Sequence, residues 1–121
     1  MPKLLIVDDE TDVREFAKNF FQRRKIKVFT AASGEEALGL LDKEKPDLML
    51  LDIRMEGMDG VAVLEEMRQK KDNTEVIMVT GISEEVTMKR AKELGVIDYI
   101  HKPLVLGELE KIVLSRLQKQ K

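Results

Sequence analysis

The sequence predicts an α/β fold, a single doubly wound five-stranded parallel sheet, (βα)5, with helices on both faces. Three observations predict it. The runs KLLIV (3 to 7), LMLL (48 to 51) and VIMV (76 to 79) are apolar at nearly every position, the pattern of strands covered on both sides. Amphipathic stretches of helical period alternate with the strand-like runs, so strand and helix follow one another five times. The long strands end on polar residues, at the edge where open parallel sheets carry their sites.

Taken in order, β1 runs from residue 3 to about residue 8. The first helix, α1, extends from 11 or 12 to 24, with Val13, Phe16, Ala17, Phe20 and Phe21 as its core stripe and Asp12, three residues before Glu15, as its expected N-cap. IKVFT alternates, which makes β2 (26 to 31) a more exposed strand. Ser33, three residues before Glu36, caps α2 (34 to 43). After β3 (47 to 52), Asp59 caps α3 (60 to 70); after β4 (75 to 80), Ser83 caps α4 (84 to 94). The weakest run is β5 (97 to 101), followed by α5 (105 to 118) with the stripe Leu106, Leu109, Ile112, Val113 and Leu117. The 121 residues fit one domain, 1 to 121, and show no linker, repeat or low-complexity segment.

Charge and composition exclude several classes. Lys plus Arg number 21 against 23 Asp plus Glu, a net charge of -2, so no basic field for phosphate backbones exists and direct nucleic-acid binding is not expected. Arg23-Arg24-Lys25 and Lys70-Lys71 read as solvated helix ends, and the seven methionines as core filler. The absence of cysteine excludes disulfides and thiolate metal sites and fits a reducing cytoplasm. No apolar run approaches the ~20 residues of a membrane span, and no signal-peptide pattern opens the chain, so membrane association is not expected and a cytoplasmic location is.

The strand ends gather a chemical set. β1 delivers Asp8 and Asp9, β3 delivers Asp52, β4 delivers Thr80, and Lys102 follows β5. Three carboxylates from two strands repel unless one takes up a proton or a hard divalent cation lies among them. Mg²⁺ suits, because it prefers oxygen ligands and combines one or two protein carboxylates with waters and phosphate oxygens. A lysine then complements an anionic phosphoryl group and a threonine hydroxyl donates to it. Asp52, at the centre, is the candidate nucleophile. Plainer roles stand beside these: Asp8 and Asp9 as acids at the start of α1, Asp52 opening a turn, Thr80 as a β-branched strand residue, Lys102 as a solvated edge. His101 falls on the Tyr99 side of its strand and reads as packing rather than as a ligand.

Asp8-Asp9, Asp52 at the end of β3, Thr80 followed by Gly81, Tyr99 three residues before Lys102, and Lys102-Pro103 together resemble the CheY-like receiver domain of bacterial two-component response regulators, over the entire chain. The resemblance implies the flavodoxin-like strand order 2-1-3-4-5 and a signalling switch rather than an enzyme, one that assists phosphoryl transfer to its own Asp52 and its hydrolysis. It implies that Asp52 accepts phosphate from a sensor histidine kinase, a histidine phosphotransfer protein or a small acyl phosphate. Asp9, Asp52 and the Arg54 backbone carbonyl would coordinate Mg²⁺ or Mn²⁺, with Asp8 acting largely through water. Lys102 would pair with the phosphoryl group, its bond to Pro103 being cis, while Thr80 and Tyr99 would move together and alter the α4-β5-α5 surface. A downstream protein target, an output domain or a second copy of the chain on phosphorylation would read that surface.

The sequence departs from the family in placing Glu56 where proline is common. Arg54 and Ile82, two residues after Asp52 and Thr80, are poor at orienting a hydrolytic water, so slow self-dephosphorylation is expected. Other readings stay open here. A metal-dependent phosphohydrolase of the haloacid dehalogenase kind would carry an acid where Arg54 stands, and an interaction module would never receive phosphate. A nucleotide or flavin binder is opposed by the acidic turn DDETD, which repels phosphate. The closing Lys-Gln-Lys fits either a stand-alone receiver or the N-terminal part of a regulator with an output domain.

Overall fold

The computed structural model of the chain describes residues 1–81 and 85–119. Strands β1 (Lys3–Val7), β2 (Lys27–Ala31), β3 (Leu48–Leu51), β4 (Glu75–Thr80) and β5 (Asp98–His101) form one parallel sheet in the order β2-β1-β3-β4-β5. The helices are α1 (Thr11–Gln22), α2 (Gly34–Glu44), α3 (Gly60–Gln69), α4 (Glu85–Glu93) and α5 (Leu106–Lys119). The expected class and strand order are both observed. Strand order reverses between β1 and β3, so the crevice for a ligand lies beyond their carboxyl ends.

Apolar runs without alternation make sense in this sheet because alternate residues enter two different cores. Leu4, Ile6, Leu48, Leu50, Ile77 and Val79 pack with Ala17 and Phe21 of α1 and with Leu109, Val113 and Leu117 of α5. Their neighbours Leu5, Val7, Met49, Leu51, Val76 and Met78 pack with residues of α2, α3 and α4, among them Leu41, Leu64 and Ala91. Each buried side chain of this size contributes about 1.5–3 kcal/mol, so the central strands are rigid supports for whatever their ends carry.

Several local expectations change. Helix α1 stops at Gln22 rather than 24, because Lys25 takes a left-handed conformation (φ 62°) and the Arg24 and Lys25 amides tighten onto the carbonyls of Phe21 and Gln22. Asp12 is not its cap. Glu10 holds that position without a side-chain cap bond, and the Asp8 carboxylate takes the Glu10 N–H at 2.9 Å. Ser33 and Asp59 do cap α2 and α3, accepting from Glu36 at 3.2 Å and Ala62 at 2.9 Å. Ser83, the expected cap of α4, lies outside the described residues. Phe16 leaves the core stripe of α1 and is 58% exposed. Arg24 is no solvated helix end: it pairs with Glu110 of α5 and stacks 3.7 Å from the Phe20 ring centroid. Of the methionines, Met49, Met55, Met67 and Met78 are buried, while Met1 is exposed.

Candidate functional site

Two carboxylates are carried by the ends of the two central strands. Each sits one residue past its strand and is still held by a sheet-type bond, Asp8 N–H to the Ala31 carbonyl at 3.1 Å and Asp52 N–H to the Val7 carbonyl at 3.0 Å. Their exposures are 3% and 4%, which is costly for charged groups unless they are paired. Lys102 supplies the pairing. Its backbone N–H donates to the Thr80 carbonyl at 2.9 Å, and its ammonium donates to Asp8 Oδ2 at 2.9 Å and Asp52 Oδ2 at 3.1 Å. Glu10 Oε1 stands 3.6 Å from the same nitrogen. The second oxygens of the two aspartates accept backbone N–H bonds, Asp8 Oδ1 from Glu10 at 2.9 Å and Asp52 Oδ1 from Arg54 at 3.3 Å.

Burial pushes the Asp52 carboxyl above its ordinary value of 3.8; the Lys102 hydrogen bond opposes that rise and the Asp8 charge adds to it. Burial also pulls the Lys102 ammonium down, but its bonds to Asp8 and Asp52 outweigh this and leave it above 10.5. One ammonium facing two carboxylates leaves a net negative charge, to which exposed Asp9 and Glu10 add. Carboxylate oxygens of Asp8, Asp9 and Glu10 lie within 4.8 Å of one another. Such an all-oxygen donor set fits a hard divalent cation such as Mg²⁺. Asp52 is not one of these three and is joined to Asp8 through the shared Lys102 ammonium.

The remaining expected residues lie around this centre. Thr80 is fully buried at the end of β4, opposite His101 in the register of β4 and β5. Tyr99 is half-buried, and its hydroxyl is enclosed with no hydrogen-bond partner among the described residues, so burial raises its pKa above 10.0. His101 is exposed, its ring centroid 5.5 Å from that of Tyr99. The Lys102–Pro103 peptide is cis. Arg54 is exposed on a cleft of about 760 Å³ between the β3–α3 loop and α4, which Asp9, Glu56, Thr87 and Arg90 also line. Ile82 lies outside the described residues.

Two residues of the site escape a linear reading. Arg14 binds the Asp8 carbonyl, and only its spacing from Thr11 hints at that. Gly60 packs so closely under Asp52 that a Cβ would stand 2.4 Å from the Asp52 carbonyl oxygen. That approach depends on how α3 docks, which no local pattern encodes.

Fold and site together define a class: flavodoxin-like α/β domains that present an aspartate at the carboxyl end of the third strand. The family model for the response regulator receiver domain matches residues 4–114. Sporulation initiation phosphotransferase F of Bacillus subtilis is 37% identical over 111 residues, covering 92% of this chain and 90% of that protein. The regulatory protein AtoC of Escherichia coli is 41% identical over 118 residues, 98% of this chain but 26% of its own length. Among solved structures, the response regulator protein TrrA from Thermotoga maritima in complex with Mg(2+)-BeF superposes with a TM-score of 0.85 at 33% identity, covering 97% of this chain and 100% of that one. The chain belongs to the receiver domain family of two-component response regulators, whose members are signalling switches. It spans nearly all of one curated relative and a quarter to a half of others.

Proposed function

We propose that this domain is a phospho-accepting switch in which Asp52 takes a phosphoryl group from the phosphohistidine of a sensor kinase or phosphotransfer protein, or from a small acyl phosphate. The observation that carries this reading is the Lys102 ammonium bridging two buried aspartates at 2.9 and 3.1 Å. A single lysine held by both acids can turn to an incoming phosphoryl group without leaving the site. An Asp52 carboxylate oxygen attacks phosphorus as the P–N bond to histidine breaks, and the imidazole leaves with the bonding electron pair and takes up a proton. Lys102 and Thr80 then hold the equatorial oxygens. Mg²⁺, held by Asp8, Asp9, Asp52 and the Arg54 carbonyl, would draw off the charge on the transferring group. TrrA, similar over its whole length, is a protein in complex with Mg(2+)-BeF, and that supports the assignment.

The readout we assign to the α4-β5-α5 face. An enclosed Tyr99 hydroxyl with no partner among the described residues favours a second position for that side chain, and Tyr99 borders a groove of about 660 Å³ with Met88, Lys89, Lys92 and Ile97. A kinase donor of this type places the domain in the cytoplasm; no described helix is long and apolar enough to cross a membrane. The test is intact mass after incubation with Mg²⁺ and acetyl phosphate. One phosphoryl adduct of ~80 Da, lost in EDTA and in Asp52→Asn, supports the reading; an undiminished adduct in Asp52→Asn sinks it. Arg54 on the open cleft offers no acceptor for water, so Arg54→Asn is expected to shorten the adduct's lifetime.

A further inference from the structure

Arg14 lies in the first turn of α1, and its guanidinium turns back onto the β1–α1 loop. Nη1 donates to the main-chain carbonyl of Asp8 at 2.7 Å and Nη2 to Thr11 Oγ1 at 3.2 Å. Both acceptors are neutral oxygens. Lys102, by contrast, binds the Asp8 and Asp52 carboxylates themselves. The distinction matters because Asp8, Asp9 and Glu10 carry oxygens within 4.8 Å of one another and repel. Whatever holds their backbone against that repulsion, while leaving the carboxylates free, prepares a cation site.

The Asp8 carbonyl is the point where the chain leaves the sheet. Fixing its direction fixes the plane of the Asp8–Asp9 peptide and so the place of the Asp9 Cα, which leaves the Asp9 carboxylate only the rotations about its own φ and side-chain bonds. The Asp8 N–H is anchored on Ala31 and the Asp8 carboxylate on Glu10 N–H and Lys102, so the guanidinium supplies the restraint on the third polar group of that residue. Its fork reaches Asp8 and Thr11 together, which a point-like ammonium matches poorly.

We propose that Arg14 is a positioning residue for the divalent cation: it locks the Asp8–Asp9 peptide so that both carboxylates converge, without pairing with either. This rests on the Mg²⁺ reading of the Asp52 site. The experiment titrates Mg²⁺ alone into the full chain by calorimetry at fixed ionic strength, for wild type, Arg14→Lys and Arg14→Met, each below its metal-free Tm. Both variants are expected to bind about tenfold more weakly, at the lower end of the ~10–100-fold loss when hydrogen bonds behind metal ligands are removed. A guanidinium acting only through its charge gives the opposite result, since removing a cation from an acidic patch tightens Mg²⁺ binding in Arg14→Met and leaves Arg14→Lys unchanged. That outcome, or unchanged affinity in both, overturns the assignment. Thr11→Val removes one arm of the fork without altering charge, and is expected to weaken Mg²⁺ binding by about threefold. If neither Arg14 variant folds, the Thr11→Val result decides, and unchanged affinity there overturns the proposal. A wild-type chain that binds no Mg²⁺ overturns the metal reading itself and Arg14's role with it, a result distinct from a failure confined to Arg14.

Discussion

Replacing Gly60 with alanine adds one methyl group directly beneath the phosphoacceptor. The new Cβ would stand 2.4 Å from the Asp52 carbonyl oxygen, 2.9 Å from Ile53 Cα and 3.1 Å from the Asp52 carbonyl carbon. All three are backbone atoms, so no side chain can swing aside. Real Cβ contacts essentially never fall below 3.0 Å, so either the end of β3 or the start of α3 must move by at least 0.6 Å, the difference between 3.0 and 2.4. Overpacking of this kind costs about 1–3 kcal/mol. With an unfolding entropy of about 2.1 cal/mol/K per residue, a chain of this length loses about 4–12 °C of Tm. Helix propensity alone pushes the other way, favouring alanine over glycine by up to about 1 kcal/mol. The sign of the change therefore separates the two effects. Thermal unfolding followed by circular dichroism measures it, and acetyl phosphate labelling then reports whether Asp52 has moved from its 3.1 Å contact with Lys102. A Gly60→Ala variant as stable as wild type, labelled at the same rate, would refute the close approach on which this reasoning depends.

Asp52→Asn is expected to stabilise the domain at neutral pH, because burial raises the Asp52 pKa above 3.8 and its ionised form disfavours the folded state. With a folded pKa above the unfolded one, the contribution of Asp52 to stability is fully present below 3.8 and is lost as pH rises through the folded value, so the variant's advantage shrinks on acidification. Urea unfolding at a series of pH values measures this, and an advantage that grows toward acid contradicts it. Ser33→Ala is expected to cost about 1 kcal/mol through loss of the α2 cap, whereas Asp12→Ala, which removes no cap bond, costs less than half of that. Denaturant midpoints for the pair check it, and equal losses count against the observed start of α1.

What the linear chain reveals follows from how far each interaction reaches. The central strands are legible because burial on both faces leaves no room for a polar residue, and the site acids because they interrupt those runs. Ser33 and Asp59 are legible because a cap bonds only three residues ahead. Asp12 misleads because α1 already begins at Thr11, with the Arg14 amide bonded to the Glu10 carbonyl, so Asp12 lies inside the first turn rather than before it. Phe16 has the helical spacing of a core residue, yet the apolar face of α1 is narrower than its sequence stripe, and the ring stays 58% exposed. Lys102 is recognisable as a partner for phosphate, but its present bonds to both Asp8 and Asp52 join positions 94 and 50 residues apart, which only the folded sheet brings together.

The central claim concerns a single carboxylate, and borohydride tests it most directly. An aspartyl phosphate is an acyl phosphate, so borohydride reduces it to homoserine at the residue that carried it. Protein treated with Mg²⁺ and acetyl phosphate, reduced, digested and sequenced by mass is expected to show homoserine at position 52 and nowhere else. Homoserine at Asp8 or Asp9, or an unreduced chain that nonetheless carries phosphate, would contradict the assignment of Asp52 as the acceptor.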